Sequence, residues 1–351
     1  MKKLIKHSAL MAALAAAGMC AHAEGVSFYA LLDGGVAHTT IKGTGATISQ
    51  TEFVTGGFAP NFVGATGEKA IDKGYSVGFK LEQGFLWNSR PDGVGSRYFF
   101  GDDAVFNRQA NVFLKGSPGT LTVGTQPNIA FNSVLMADPR SGSNFGSSLA
   151  AVVISGGLGT IDNGSVSVTG SPMTGLSISA QYVPQQSTPI GIKDGSRLSA
   201  VYSAGNFAAT AATYTNSSST ATPDSSGTVL GATYKLGNFT AKALHLSQKN
   251  AEAESLKTTG LGGSYTLSAS TNVDFGTFKS TKTDYDMTTH AVGVYHKFMK
   301  DFTVYGQYAS VKSKAGKTPY NFAPPMEVNN GSITAGQTAN TLNVGLLYSF
   351  F

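Results

Sequence analysis

The chain has 351 residues, 43 of them Gly, with 41% hydrophobic and 13% charged residues and a formal net charge of +5. About a quarter charged is usual for soluble globular domains, so charge is sparse, yet no apolar run reaches the ~20 residues that a spanning helix requires. The hydrophobic residues are interleaved with polar ones, which argues against a helical membrane protein.

Residues 1–23 read as a secretory signal peptide. Lys2, Lys3 and Lys6 form a basic start, Ala9 to Met19 an apolar centre, and Ala21-His22-Ala23 a small-x-small cleavage site. Cleavage after Ala23 predicts a mature chain of residues 24–351, a single domain with no linker. Cys20 is the only cysteine and falls inside the removed segment. Met19 before it does not suit a lipoprotein signal, so the exported chain carries no disulfide and no thiolate chemistry. Losing three lysines and no acid nearly balances the remaining charge, and no dense basic patch is left for nucleic acid.

From Val26 the pattern has period two: Val26, Phe28, Ala30 and Leu32 share one face, with Ser27, Tyr29 and Asp33 opposite. Further strand cores follow near 58–66, 74–87, 104–115, 120–128, 164–171, 174–183, 196–203, 206–215, 227–235, 238–247, 257–266, 269–279, 288–298, 301–312 and 339–351. With the first, they predict sixteen strands. The hairpin over 105–126, turning at Gly116-Ser117-Pro118-Gly119, is the clearest. Short connections (Lys69–Lys73, Gly116–Gly119, Ser171–Thr174, Ala204–Gly205, Leu236–Gly237, Leu267–Ser268, Phe298–Lys300) alternate with long polar ones over 38–57, 88–103, 129–162, 184–195, 216–226, 248–256, 280–287 and 313–338. Residues 129–162 read as a long structureless insertion, rare in a compact fold unless it has a role. No helical periodicity interrupts the series.

Tight turns at one end and long loops at the other predict an all-β, 16-stranded antiparallel transmembrane β-barrel in a bacterial outer membrane, with the insertion folded into it and both termini periplasmic. In hydrocarbon every backbone group must pair within the protein, which only helices and closed sheets achieve. A sandwich would bury Lys80 and Glu82 of Tyr75-Ser76-Val77-Gly78-Phe79-Lys80-Leu81-Glu82; a barrel gives them a wet lumen. Phe28, Phe85, Trp87, Tyr182, Tyr234, Phe298, Phe302 and Tyr348 lie near strand ends, where interfacial aromatics sit. In the last strand Leu342, Val344, Leu346, Tyr348 and Phe350 share a face, with Phe351 beyond.

Catalytic signals are thin. His38, His245, His290 and His296 have no metal-ligand spacing, and there is neither a G-x-S-x-G elbow nor a phosphate-binding Gly-rich loop. No enzyme activity, cofactor or metal is expected.

Several stretches carry a family likeness. VSFYALLDGGV is similar to V-T-L-Y-G-V-L-D-x-G-V, and FNRQANVFLKGSPGTLTVGTQ to F-G-R-Q-A-Y-V-G-L-x-G-x-x-G-T-V-T-L-G-R-Q. GYSVGFKLEQGF looks like the family's third strand, KFMKDFTVYGQY resembles L-S-K-R-T-x-L-Y-A-x-Y, and NVGLLYSF resembles V-G-L-R-H-R-F. Together they resemble the trimeric general diffusion porins of beta-proteobacterial outer membranes, of the Neisseria and Burkholderia type. The resemblance implies a homotrimer in outer-membrane lipid that passes ions and small hydrophilic solutes passively. It also implies a third external loop, here 129–162, that folds inward opposite a basic wall, and a closing strand (Tyr348, Phe350, Phe351) read by the barrel-assembly machinery.

The chain departs from that pattern. Gly124-Thr125-Gln126 stands where the family has G-R-Q, Ser143-Asn144-Phe145-Gly146 where the loop often has P-E-F-G, and Leu347 and Ser349 replace two arginines. A less charged constriction and weak selectivity follow, with a slight anion lean from Arg108, Arg140 and Lys80. Asp138 and Arg140 are expected at the narrowest point, where charged rings bias ion passage. Lys80 and Glu82 either line the lumen or pair with each other. Strand parity puts Arg108 on the lipid side, whereas the resemblance puts it in the lumen. Asp33, Lys242 and Asn144 complete the channel-lining candidates. Two alternatives stand: a substrate-specific porin whose Asn128, Asn132, Asn144, Phe131 and Phe145 bind a solute, and an adhesin or structural barrel with a closed lumen.

Overall fold

The computed structural model describes residues 25–43, 45–85, 105–149, 151–152, 158–184, 192–218, 224–249, 255–317 and 333–350. Strands β1 (Val26–Lys42), β2 (Ile48–Thr55), β3 (Phe62–Ala70), β4 (Ser76–Gly84), β5 (Gln109–Gly116) and β6 (Gly119–Pro127) lead into a helix, α1 (Ile129–Ala137). Then come β7 (Ile161–Met173), β8 (Leu176–Val183), β9 (Ile192–Ala204), β10 (Phe207–Ser218), β11 (Ser225–Leu236) and β12 (Phe239–Lys249). The chain ends with β13 (Leu256–Thr266), β14 (Thr271–Lys282), β15 (Tyr285–Met299), β16 (Phe302–Ser313) and β17 (Thr338–Phe350).

All pairings are antiparallel, and the last strand returns to the first, from Ala30 opposite Phe350 to Lys42 opposite Thr338. Strands β2 and β3 both lie on β1, β2 beside Gly34–Ile41 and β3 beside Val26–Leu31. They are two halves of one barrel strand interrupted over 56–61, so the 17 segments close into a 16-strand barrel. Among the described residues, closure leaves the sheet without a free edge strand.

Many of the strands alternate a buried row with an exposed one. In β17 Ala339, Thr341 and Asn343 are buried, while Leu342, Val344, Leu346 and Phe350 are exposed. In the β5–β6 hairpin Gln109, Asn111 and Gln126 are buried, and Val112, Leu114, Leu121 and Val123 are exposed. The pattern inverts that of a water-soluble protein and suits hydrocarbon outside the sheet. At the short-turn end Tyr75, Tyr202, Phe207, Tyr234, Tyr265 and Phe298 stand exposed, as interfacial aromatics do.

The strands are longer than their expected cores. β1 continues to Lys42 and β2 occupies 48–55, so the expected loop over 38–57 contracts to 43–47. Thr39, Ile41 and Val54 carry the buried row to that rim, and Thr39 bonds Thr341 across the seam at 2.9 Å. The loops expected over 216–226 and 280–287 contract likewise. Conversely, the core expected over 58–66 begins only at Phe62, and that over 104–115 only at Gln109, after Phe106 takes a positive φ of 59°.

The expectation of a structureless 129–162 is also corrected, because α1 opens it. Asn128 caps the helix by accepting from the amides of Ala130 and Phe131. Ala130, Ser133, Val134 and Ala137 recur every three or four residues and are buried, with Tyr214, Val229, Leu244 and Leu246 in the same apolar cluster. The signal segment with Ala21 and Ala23, all of 88–103, most of 313–338, Trp87 and Phe351 lie outside the described residues.

Candidate functional site

Following α1, the chain turns at Asp138 and runs along the buried rows of β12 to β16. Arg140 is fully buried. Its Nε donates to Asp274 of β14 at 3.0 Å, and its Nη2 donates to Tyr295 of β15 and Gln307 of β16, both at 2.8 Å. Nη1 donates to the carbonyl of Phe145, which closes the turn on itself. Burial opposes the guanidinium charge, but Tyr295 and Asp274 outweigh it and hold the pKa above its ordinary value. Asp138 is buried as well, accepting from the amides of Arg140 at 2.7 Å and Ser148 at 2.8 Å and from the Ser148 hydroxyl. Asp138 and Arg140, the pair expected at the narrowest point, are thus both buried and fully engaged in hydrogen bonds. They tie the loop to itself and to three consecutive strands.

Lys242 of β12 donates to the Asp138 carbonyl at 3.1 Å and to Ser141 Oγ at 3.0 Å, so it too serves this attachment. Asn144 turns toward the gap between β2 and β3, its amide donating to the Phe58 carbonyl and its Nδ2 to the Gly56 carbonyl, both at 2.8 Å. Asp33 is buried in that gap, accepting from Tyr305 Oη at 2.6 Å and from the amides of Phe58 and Ala59 at 2.6 and 2.8 Å.

A second group lies on β3 to β5. Glu82, almost buried, accepts from Arg108 Nε, from Tyr29 Oη at 3.1 Å and from Gln109 Nε2 at 3.1 Å. The reading that Lys80 and Glu82 pair is corrected here: Glu82 turns to Arg108, and Lys80 places its ammonium 5.5 Å from the centre of the Tyr29 ring. Arg108 lies on the Glu82 side of the sheet, over the Phe62 ring at 4.7 Å. The chain does not join β5 until Gln109, so strict strand parity does not govern Arg108. Further round the wall Arg197 of β9 makes a two-point pair with Asp162 of β7, at 3.1 and 2.8 Å.

Sequence reasoning missed Tyr29, Arg197, Asp274, Tyr295, Tyr305 and Gln307 as site residues. Their signal was parity, since each falls on the less apolar row of its strand, but parity does not say what meets that row. Among the described residues no group of three or more His, Cys, Asp or Glu could hold a metal ion.

A family model described as Gram-negative porin matches residues 9–316. No curated protein matches the sequence. Among solved structures, the anion-selective porin from Comamonas acidovorans is similar at 20% identity, with a TM-score of 0.77, over 93% of this chain and 99% of that one. OmpF of Salmonella typhi, in a complex with daunomycin, matches at 15% identity and a TM-score of 0.63, over 93% and 97%. The trimer form of OmpT from Vibrio cholerae matches at 14% identity and 0.61, over 93% and 99%. With the closed barrel and its exposed apolar belt, a match over most of its length places this chain in the Gram-negative porin family.

Proposed function

We propose that, in the outer-membrane diffusion channel formed by this porin, the buried row lines a water-filled lumen and residues 129–162 fold into it as the constriction. The observation that carries this reading is the attachment of Arg140 to Asp274, Tyr295 and Gln307 on consecutive strands, which supports a loop folded over the inner face. Glu82, Gln109, Asn111, Gln126, Ser165 and Gln181 occupy the same row, and a dry core would desolvate them at a cost. Deleting residues 138–145 raises single-channel conductance in a planar bilayer; unchanged conductance would refute the constriction.

Among the described residues the loop leans on β8 to β12 through α1 and on β14 to β16 through Arg140, which leaves the arc from β3 to β7 as the open wall. On that arc Arg108 is matched by Glu82, and Asp162 of β7 is matched by Arg197 of β9, while Lys80 forms no ion pair with an acid among the described residues. A weak anion preference resting on Lys80 follows, since one unmatched charge between low-dielectric walls biases which ion enters. The anion selectivity of the Comamonas porin is in keeping with it. Replacing Lys80→Glu moves the zero-current potential in a salt gradient toward cations; an unmoved potential would place the selectivity elsewhere.

The assembled state follows the same reading: a homotrimer in outer-membrane lipid, termini periplasmic, long loops extracellular, residues 1–23 removed on export, and the last strand presented to the barrel-assembly machinery. The trimer form of the Vibrio OmpT supports the assembly. The substrate-specific alternative loses most of its residues, because Asn128 caps α1, Asn144 binds Gly56, Phe145 is buried and Phe131 packs on the apolar cluster.

A further inference from the structure

Strand β3 should continue β2 without a break, because both pair with β1. Instead the chain leaves the sheet over residues 56–61 and crosses the buried face of its neighbours. The Phe58 ring lies 4.9 Å from that of Tyr295 on β15 and 6.0 Å from that of Tyr305 on β16. The Gly57 carbonyl accepts from Gln307 Nε2 of β16 at 3.2 Å. Between that interrupted strand and β16 stand β1 and β17, so the segment covers roughly 14 Å of wall at ~4.8 Å per strand.

The covering is close. A Cβ on Gly57 would stand 2.4 Å from Asn343 Nδ2 of β17, and one on Gly345 would stand 2.2 Å from Tyr305 Oη, which lies flat across β17 to reach Asp33. Asp33 then secures the segment by accepting from the amides of Phe58 and Ala59, while Asn61 binds the Asp33 backbone and Thr55 Oγ1. Asn144, at the tip of the 129–162 loop, donates to the Phe58 and Gly56 carbonyls.

We propose that residues 56–61 are a second constriction element, an inward fold of the wall that narrows the lumen beside the 129–162 loop and latches its tip, with Asp33 as the positioning residue. The proposal rests on the reading that the buried row faces the lumen. Two elements from distant parts of the chain then share one anchorage, and the narrowest section depends on both. The half-buried Ala59, whose amide is tied to Asp33, is the position at which a probe in the ion path meets this element.

Cys20 is the only cysteine in the chain, so Ala59→Cys adds the single thiol of the processed protein. Treating that variant in a planar bilayer with a trimethylammonium-ethyl methanethiosulfonate produces a stepwise loss of single-channel current that a reductant reverses. Complete labelling by mass with unchanged current overturns the proposal. So does a thiol that reacts only after denaturation, because a constriction residue must meet the ion path. Asp33→Ala raises conductance and current noise, whereas Asp33→Asn, which keeps an acceptor oxygen, restores near-native current; equal behaviour of the two removes the positioning role. The 138–145 deletion separates the readings. Unchanged conductance there with a retained block at Ala59→Cys sinks the loop constriction alone, and the reverse pattern sinks this second element alone.

Discussion

Arg140 shows how the meaning of a charge depends on its surroundings. In the sequence it is one of few ions in a polar loop; in the fold it is buried, with its guanidinium nitrogens bonded to Asp274, Tyr295, Gln307 and the Phe145 carbonyl. Removing one member of a buried pair leaves the other uncompensated, which costs about 3–5 kcal/mol. Arg140→Ala therefore releases the loop, read as multiple current levels in single-channel records where the parent has one. Asp274→Asn, which keeps an acceptor, gives a smaller effect. Alternation alone placed Lys80 and Glu82 on one face. It did not show that Arg108 would take Glu82, because that depends on the register setting Glu82 opposite Gln109 and on the backbone turning at Phe106.

Among the elements, α1 is the one whose sequence signal was present and went unread. Asn128 followed by Ala130, Ser133, Val134 and Ala137 is an N-cap and a buried stripe at helical spacing. The stripe is short and weakly apolar, and only the facing patch of Tyr214, Val229, Leu244 and Leu246 makes it worth burying. Asn128→Ala removes the cap and costs the helix about 1 kcal/mol. The checking measurement is amide hydrogen exchange over 129–137, which speeds up locally while the strands keep their protection. Strand ends were misjudged for a related reason: Thr39, Thr40 and Thr51 look like loop residues until the facing strand supplies partners such as Thr341.

At the scale of the whole molecule, the exposed apolar belt makes the solvent part of the fold. Val344, near the middle of β17 and 51% exposed, is read as facing the bilayer centre. Val344→Lys then costs about 2–4 kcal/mol in folding into lipid vesicles, measured by denaturant titration, since a charge at the midplane is desolvated. The same change at a long-loop tip has little effect. Period-two alternation, short and long connections in turn, and a closing aromatic strand were enough to determine the all-β barrel and its closure, because a sheet in hydrocarbon has one way to satisfy its edges. The path of the chain inside the closed sheet was a different matter. Which wall residues Arg140 binds, why Glu82 leaves Lys80 unmatched, and how 56–61 comes to lie across β17 are set by contacts between distant segments, as far apart as the 272 residues between Asp33 and Tyr305. Local pattern records which face a side chain takes, and only the assembled barrel decides what stands opposite it.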